Sequence, residues 1–122
     1  MKKVLINFSI LTICLLLMVG CSQNNKSSIT GIYLKSTNGI NLIITENNEP
    51  ICMNNKSGNE NIFNTLKSGD KIEVTFESIR ETYPAQTDIY SCKLIEKGTI
   101  NNIPKDVLIS LEEMDWNFDL SN

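Results

Sequence analysis

The pattern of apolar and polar positions divides the chain into two unlike parts. Ile10 to Val19 is an apolar stretch interrupted only by Thr12, and it follows a basic start, Met1-Lys2-Lys3. Beyond residue 28 the apolar residues fall in short runs, most of them spaced by two. Period two is that of a β-strand with one buried face, because successive side chains leave opposite sides of a sheet. Ile32 and Leu34 share one face, and Ile40, Leu42 and Ile44 alternate against Asn41, Ile43 and Thr45. A short strand follows from Ile51 to Asn54. Ile72, Val74 and Phe76 are predicted to face in, with Glu73, Thr75 and Glu77 facing out. A fifth strand is expected over 88–96, with Tyr90, Cys92 and Leu94 on one face and Ile89 and Ile95 on the other.

The connecting segments carry their own signals. Asn38-Gly39 predicts a hairpin with a type I′ turn, which needs positive φ at both central residues. Asn47-Asn48-Glu49-Pro50 predicts a second turn. Ile62, Phe63 and Leu66 stand at i, i+1, i+4, and Gly69 suits the C′ position, so a short helix is expected there. Near the C-terminus Pro104 suits a first helical position, and Val107, Leu108, Leu111 and Met114 recur at helical spacing. That helix is expected to cover an open end of the sheet. Trp116 and Phe118 then read as packing residues at the domain edge, with ligand stacking as the lesser reading. The order strand, strand, strand, short helix, strand, strand is that of a small five-stranded OB-like Greek-key barrel. A twisted five-stranded meander with a covering helix satisfies the same pattern, and the fold class is mainly β in either case.

The chain has 122 residues, enough for one domain. Its 11 Lys and Arg against 14 Asp and Glu give a formal net charge of −3. An acidic balance argues against nucleic acid as a partner, since neutralising phosphates takes clustered basic side chains. The chain has no histidine. That absence removes Ser-His-Asp and Cys-His catalysis and the commonest zinc sites. Its four cysteines include no CxxC pair, and no glycine-rich phosphate loop or EF-hand spacing is present. No metal, cofactor or enzymatic activity is expected.

Met18-Val19-Gly20-Cys21, followed at once by the polar run Ser22 to Ser28, resembles the lipobox of bacterial lipoproteins, with Met18 where leucine is usual. The resemblance implies cleavage before Cys21, a diacylglycerol on its sulfur, and anchoring at the outer face of the cell membrane. Two acyl chains hold stably where one is marginal. Residues 1–20 would then be a signal peptide, 21–28 a lipidated flexible tether, and 29–122 a single β-rich domain. An ordinary secretion signal, or an uncleaved span over the 18 residues from Val4 to Cys21, accounts for the same stretch without lipid. The Asn- and Ile-rich composition fits a Gram-positive cell with a single membrane.

The most distinctive loop is Ile79-Arg80-Glu81-Thr82-Tyr83-Pro84-Ala85-Gln86. Together with Leu66 to Val74, it resembles an uncharacterised family of small secreted or lipid-anchored OB-like domains from Bacillus and Clostridium relatives, marked by Tyr-Pro-Ala-Gln. That resemblance covers roughly residues 29–97 and implies location and fold without an activity. Pro84 stiffens the loop, and in an OB-like barrel the connection between strands four and five flanks the binding face. Arg80, Tyr83 and Gln86 are therefore the candidate ligand- or partner-binding residues, able to stack on and hydrogen-bond a sugar, a peptide or a partner surface. A Tyr ring capping the barrel over a rigid turn needs no ligand.

Removal of Cys14 with the signal and lipidation of Cys21 leave Cys52 and Cys92, either bridged or as two separate buried thiols. Glu73 and Glu77 share an outward face about 13 Å apart by strand geometry, too far for a glycosidase pair. Glu112, Glu113, Asp115 and Asp119 read as a solvated acidic face, and Ser68 to Lys71 matches S-x-x-K in a turn, without the companion motifs of serine enzymes. The functional expectation is a membrane-anchored binding module whose partner is an envelope protein or a cell-wall component. A purely structural envelope lipoprotein is the alternative, and a hydrolase using carboxylates or Ser-Lys is the remote one.

Overall fold

The first three strands are joined by two versions of one turn. A computed structural model of the protein describes residues 25–120 and places β1 at Ser27–Lys35, β2 at Asn41–Thr45 and β3 at Pro50–Asn55. In the first connection the Ser36 amide donates to the Ile40 carbonyl at 2.9 Å, and the Gly39 amide to the Ser36 carbonyl at 3.1 Å. In the second the Thr45 amide donates to Glu49 at 3.0 Å, and Asn48 to Thr45 at 2.9 Å. Both are three-residue loops, each ending on a left-handed residue, Gly39 with φ 88° and Asn48 with φ 61°. The hydroxyls of Ser36 and Thr45 accept from the amides of Ile40 and Glu49, at 3.0 and 3.3 Å. The expected type I′ turn is thus replaced. A type I turn followed by one left-handed residue needs positive φ only at the last loop position, and Asn38 does not adopt it.

β4 at Lys71–Arg80 and β5 at Ala85–Glu96 complete a closed barrel in the order β1-β2-β3-β5-β4. β3 and β5 pair in parallel, and every other pairing is antiparallel. β1 closes the barrel by serving two partners, pairing β4 over Ser27–Ile32 and β2 over Gly31–Lys35. At the handover a Cβ on Gly31 would lie 2.3 Å from the Ile44 carbonyl oxygen, so only glycine lets the two strands approach. Ser27 and Ser28, which composition places in the tether, already pair with Phe76 and Thr75.

Two apolar clusters lie on the two sides of the sheet. Inside the barrel are Tyr33, Ile43, Ile51, Met53, Ile72, Val74 and Ile89. Outside it, Leu34, Leu42 and Ile44 pack against Ile103, Val107 and Leu111. The unbroken apolar run of β2 now has its reason, since the strand is buried on both faces. The helix α1, Lys105–Glu113, therefore covers the outer surface of β1 and β2 and not an open end of the sheet. Val107 and Leu111 are buried, whereas Ile109 and Met114 are exposed.

The segment from Glu60 to Thr65 packs Ile62 and Phe63, with Leu66 following, against the barrel interior, and Phe63 stacks on Tyr33 with ring centroids 6.0 Å apart. It forms successive turns in place of the expected helix. Its bonds run from Ile62 to Asn59, Asn64 to Asn61 and Leu66 to Phe63, each spanning three residues. Asn59 accepts the Asn61 amide at 3.0 Å, and Asn61 accepts the Asn64 side-chain amide at 2.8 Å. Such side-chain bonds compete with a helical ladder. Gly69 does take a left-handed conformation, at φ 104°, but at the entrance to β4, where a Cβ would lie 2.0 Å from the Thr99 carbonyl oxygen. Beside it the buried Asp70 carboxylate accepts the amides of Lys67 at 2.8 Å and Gly98 at 3.0 Å, tying that entrance to the exit of β5.

Register shifts between β4 and β5 revise the predicted faces. Thr75 pairs with Ser91 and Phe76 with Ile89, leaving Tyr90 as an extra residue. An extra residue reverses the alternation. Ile89 and Cys92 consequently both belong to the interior cluster, and Tyr90 does not share a face with Cys92 as expected. Tyr90 lies outside, under the Lys26 ammonium at 4.4 Å, with its hydroxyl donating to Glu77 at 3.4 Å. Phe76, expected inside, is half-buried at the same irregularity.

Candidate functional site

β4 ends and β5 begins on a pair of residues that face each other across the ladder, Arg80 and Gln86. The Arg80 guanidinium donates to Gln86 Oε1 at 3.2 Å. Between them the loop 81–84 is held from within. The Thr82 amide donates to the Arg80 carbonyl at 3.0 Å, its hydroxyl donates to the Pro84 carbonyl at 2.8 Å, and the Tyr83-Pro84 peptide bond is cis. Just beyond, the buried Thr87 hydroxyl donates to the Ser78 carbonyl at 2.6 Å. A loop braced at both ends presents its middle residue to solvent, and Tyr83 is 51% exposed.

Tyr83 stands between two shallow grooves. On one side the groove includes Glu49, Glu81, Ile79 and Ala85 and so carries two carboxylates. On the other, a groove of about 350 Å³ runs from Tyr83 and Gln86 over Cys52 and Asn54 of β3 to Ile40 and Trp116. No residue lining this second groove is charged. Parallel pairing of β3 with β5 produces its floor, because Cys52 lies beside Gln86 and Asn54 beside Asp88 on the outer face. The Asn54 side-chain amide donates to Asp88 at 3.2 Å.

Trp116 reaches the groove through the end of α1. Asp115 adopts φ 69°, the Trp116 amide donates to the Leu111 carbonyl at 3.1 Å, and the Asp115 amide donates to Glu112 at 3.0 Å. This is a Schellman motif with aspartate in the left-handed position, and the apolar contact that accompanies such motifs is Trp116 on Leu111, both members of the outer cluster. The chain then runs beside the first hairpin. The Thr37 amide donates to Asn117 at 2.9 Å, Phe118 bridges to Ser36, and the Trp116 and Phe118 rings stack with centroids 6.2 Å apart.

Of the residues singled out from the sequence, Arg80, Tyr83 and Gln86 come together, while Cys21 lies outside the described residues. Cys52 and Cys92 are free thiols, so the disulfide alternative is corrected. Cys52 packs with the outer cluster and Cys92 with the interior one. Cys52 pairs with Gln86, six residues before Cys92 on β5, a separation of about 20 Å along a strand. A disulfide joins Cα atoms only about 4.4–6.8 Å apart. Burial raises both thiols, Cys92 to about 11, and they stay protonated at neutral pH. Tyr33, raised to about 12 by burial and then by the nearby Cys92 and Asp70, keeps its proton and hydrogen-bonds Asn41 Oδ1. The Ser68 hydroxyl accepts the Lys35 amide at 3.0 Å and is spent on the turn.

Asn54 and Ile40 were not singled out, because only the parallel β3–β5 pairing and the hairpin geometry set them beside Tyr83. Trp116 did carry a signal, as the sole tryptophan of the chain beside a helix end. Among the described residues no group of three or more His, Cys, Asp or Glu side chains could hold a metal ion, and no helix is long and apolar enough to cross a membrane. Comparison of the chain with protein-family models, curated proteins and solved structures finds no match. The class therefore rests on topology: a small, mainly β, OB-like closed barrel with a helix on its outer face.

Proposed function

We propose that this chain is a binding module anchored by lipid on Cys21 to the outer face of a bacterial cell membrane, and that its ligand site is the uncharged groove beside Tyr83. The single observation that carries the reading is a half-exposed aromatic residue, held on a braced loop, in one groove with unspent side-chain amide groups at Gln86 and Asn54. A ring used only to cap the barrel would be buried. The Met18 to Cys21 motif and the Tyr83-Pro84-Ala85-Gln86 loop support the location, through their resemblance to lipoboxes and to small secreted OB-like domains. Position supports the site in part: in OB-like barrels ligands dock on the face of strands two and three and on the loops beside it, and here α1 covers the β2 side while the β3 side and the β4–β5 loop stay open.

The test is capture of envelope material. The full chain in detergent, as wild type and as Tyr83→Ala/Gln86→Ala, is immobilised and offered solubilised membranes and cell-wall fragments. Retention by the wild type and at least tenfold less by a folded double mutant is expected. Equal retention, or none by either, would assign the loop to architecture and make the chain a structural envelope lipoprotein.

A further inference from the structure

Side-chain amides can be read for what they have left to offer. A carboxylate only accepts, so the Asn54 group facing Asp88 is its NH₂, and its Oδ1 is left as an acceptor. A guanidinium only donates, so Gln86 turns its oxygen to Arg80, and its NH₂ is left as a donor. Among the described residues neither remaining group has a hydrogen-bond partner. The two residues sit diagonally on the outer face of neighbouring strands, two residues apart in register, which places their Cα atoms about 8 Å from each other. An amide group with a hydrogen bond at each end spans about 8 Å between its two partner atoms, a gap that two side chains rising from the same face at that Cα spacing can bracket. Aromatic rings, Tyr83 and Trp116, belong to the same lining, and Ile40 and Cys52 provide apolar contact.

We infer that the groove binds a neutral glycan bearing an acetamido group, that is, an N-acetylhexosamine. The sugar ring lies against the exposed face of Tyr83 with Trp116 at the other end. The acetamido carbonyl accepts from Gln86, its N–H donates to Asn54, and its methyl meets Ile40 and Cys52. This assignment rests on the groove being a ligand site, as proposed above, and adds the ligand class. Anionic ligands are disfavoured, because the lining carries no charge, the Arg80 guanidinium behind Gln86 is matched by the Asp88 carboxylate behind Asn54, and the chain is net −3. A peptide is also a poorer fit. It presents a row of amides that need partners, and the closed barrel has no free strand edge to pair them.

Trp116 is the chain's one tryptophan, so its fluorescence reports this groove directly. The full chain in detergent is titrated with the β-1,4-linked trimer of N-acetylglucosamine, with the matching trimer of glucose, and with acetyl-dialanine methylamide. The expected result is a saturable change in Trp116 emission with the acetylated trimer and at least tenfold weaker responses to the other two. Gln86→Glu, which keeps the shape and the contact to Arg80 but removes the donor, should weaken the acetylated trimer at least tenfold with an unchanged melting temperature. Equal responses to the two trimers, a preference for the peptide, no response to any probe, or an unaffected Gln86→Glu would each overturn the assignment. The groove as a ligand site fails separately, only if envelope capture is indifferent to Tyr83→Ala/Gln86→Ala.

Discussion

The outer surface of the barrel is treated in two ways. Over β1 and β2 it is apolar, with Leu34, Leu42 and Ile44 fully covered by Ile103, Val107 and Leu111 of the C-terminal segment. Over β3 and β5 it is largely polar and open, with Asn54 and Gln86 exposed and Asp88 half-buried, and Tyr83 standing at its edge. The interior cluster shares no residue with either surface. Covering one half is a matter of burying apolar area. Leaving the other half uncovered, with hydrogen-bonding groups unspent, has no such return for stability, and that difference is why the open half is the candidate site.

The comparison can be broken most strongly from the covered side. Leu111→Ala removes a fully buried side chain from the outer cluster and should destabilise the chain by about 2–5 kcal/mol in urea unfolding. It should also shift Trp116 emission to the red below the main transition, because Trp116 packs in the same cluster and its amide bonds the Leu111 carbonyl. A single transition at wild-type stability would mean that α1 is not held by this face.

The junction between the halves gives a smaller effect of opposite sign. Asp115→Gly relieves a non-glycine residue in the left-handed position of the Schellman motif and should add about 1 kcal/mol, read by the same unfolding curve. Loss of stability would show that the aspartate side chain contributes more than the backbone conformation costs. On the open side Tyr83→Ala should change stability by less than about 0.5 kcal/mol, as expected for a surface substitution that leaves the braced loop intact. A large loss there would place Tyr83 in the core and remove the reason for reading it as part of a site.

Much of this was legible along the chain because period two is a local property. The alternation in Ile72-Glu73-Val74 and the left-handed residues near Asn38-Gly39 and Asn47-Asn48 marked the strands and turns without reference to any partner. Arg80, Tyr83 and Gln86 were readable as candidates because a proline-stiffened loop between two strands stands out in sequence. The rest depended on partners that sequence spacing does not specify. The extra residue at Tyr90 arises from register against β4, and it reverses which side chains of β5 face in. Burial of both faces of β2 depends on a helix 60 or so residues further along, which gave the apolar run an ambiguous orientation until α1 was in place.

The sequence by itself determined a mainly β domain of five strands, a C-terminal helix and a proline-stiffened Tyr83 loop, since each follows from periodicity and turn chemistry within a few neighbouring residues, whereas closure of the strands into a barrel waited for the β1–β4 and β3–β5 pairings. Only the tertiary structure decided that the helix lies on the outer face of β1 and β2, that Cys52 and Cys92 lie on opposite sides of the sheet, and that Asn54 and Trp116 join Tyr83 and Gln86 at one groove. Those outcomes come from the parallel β3–β5 pairing and from competition among apolar surfaces for cover. Both are long-range, and neither leaves a mark on local spacing.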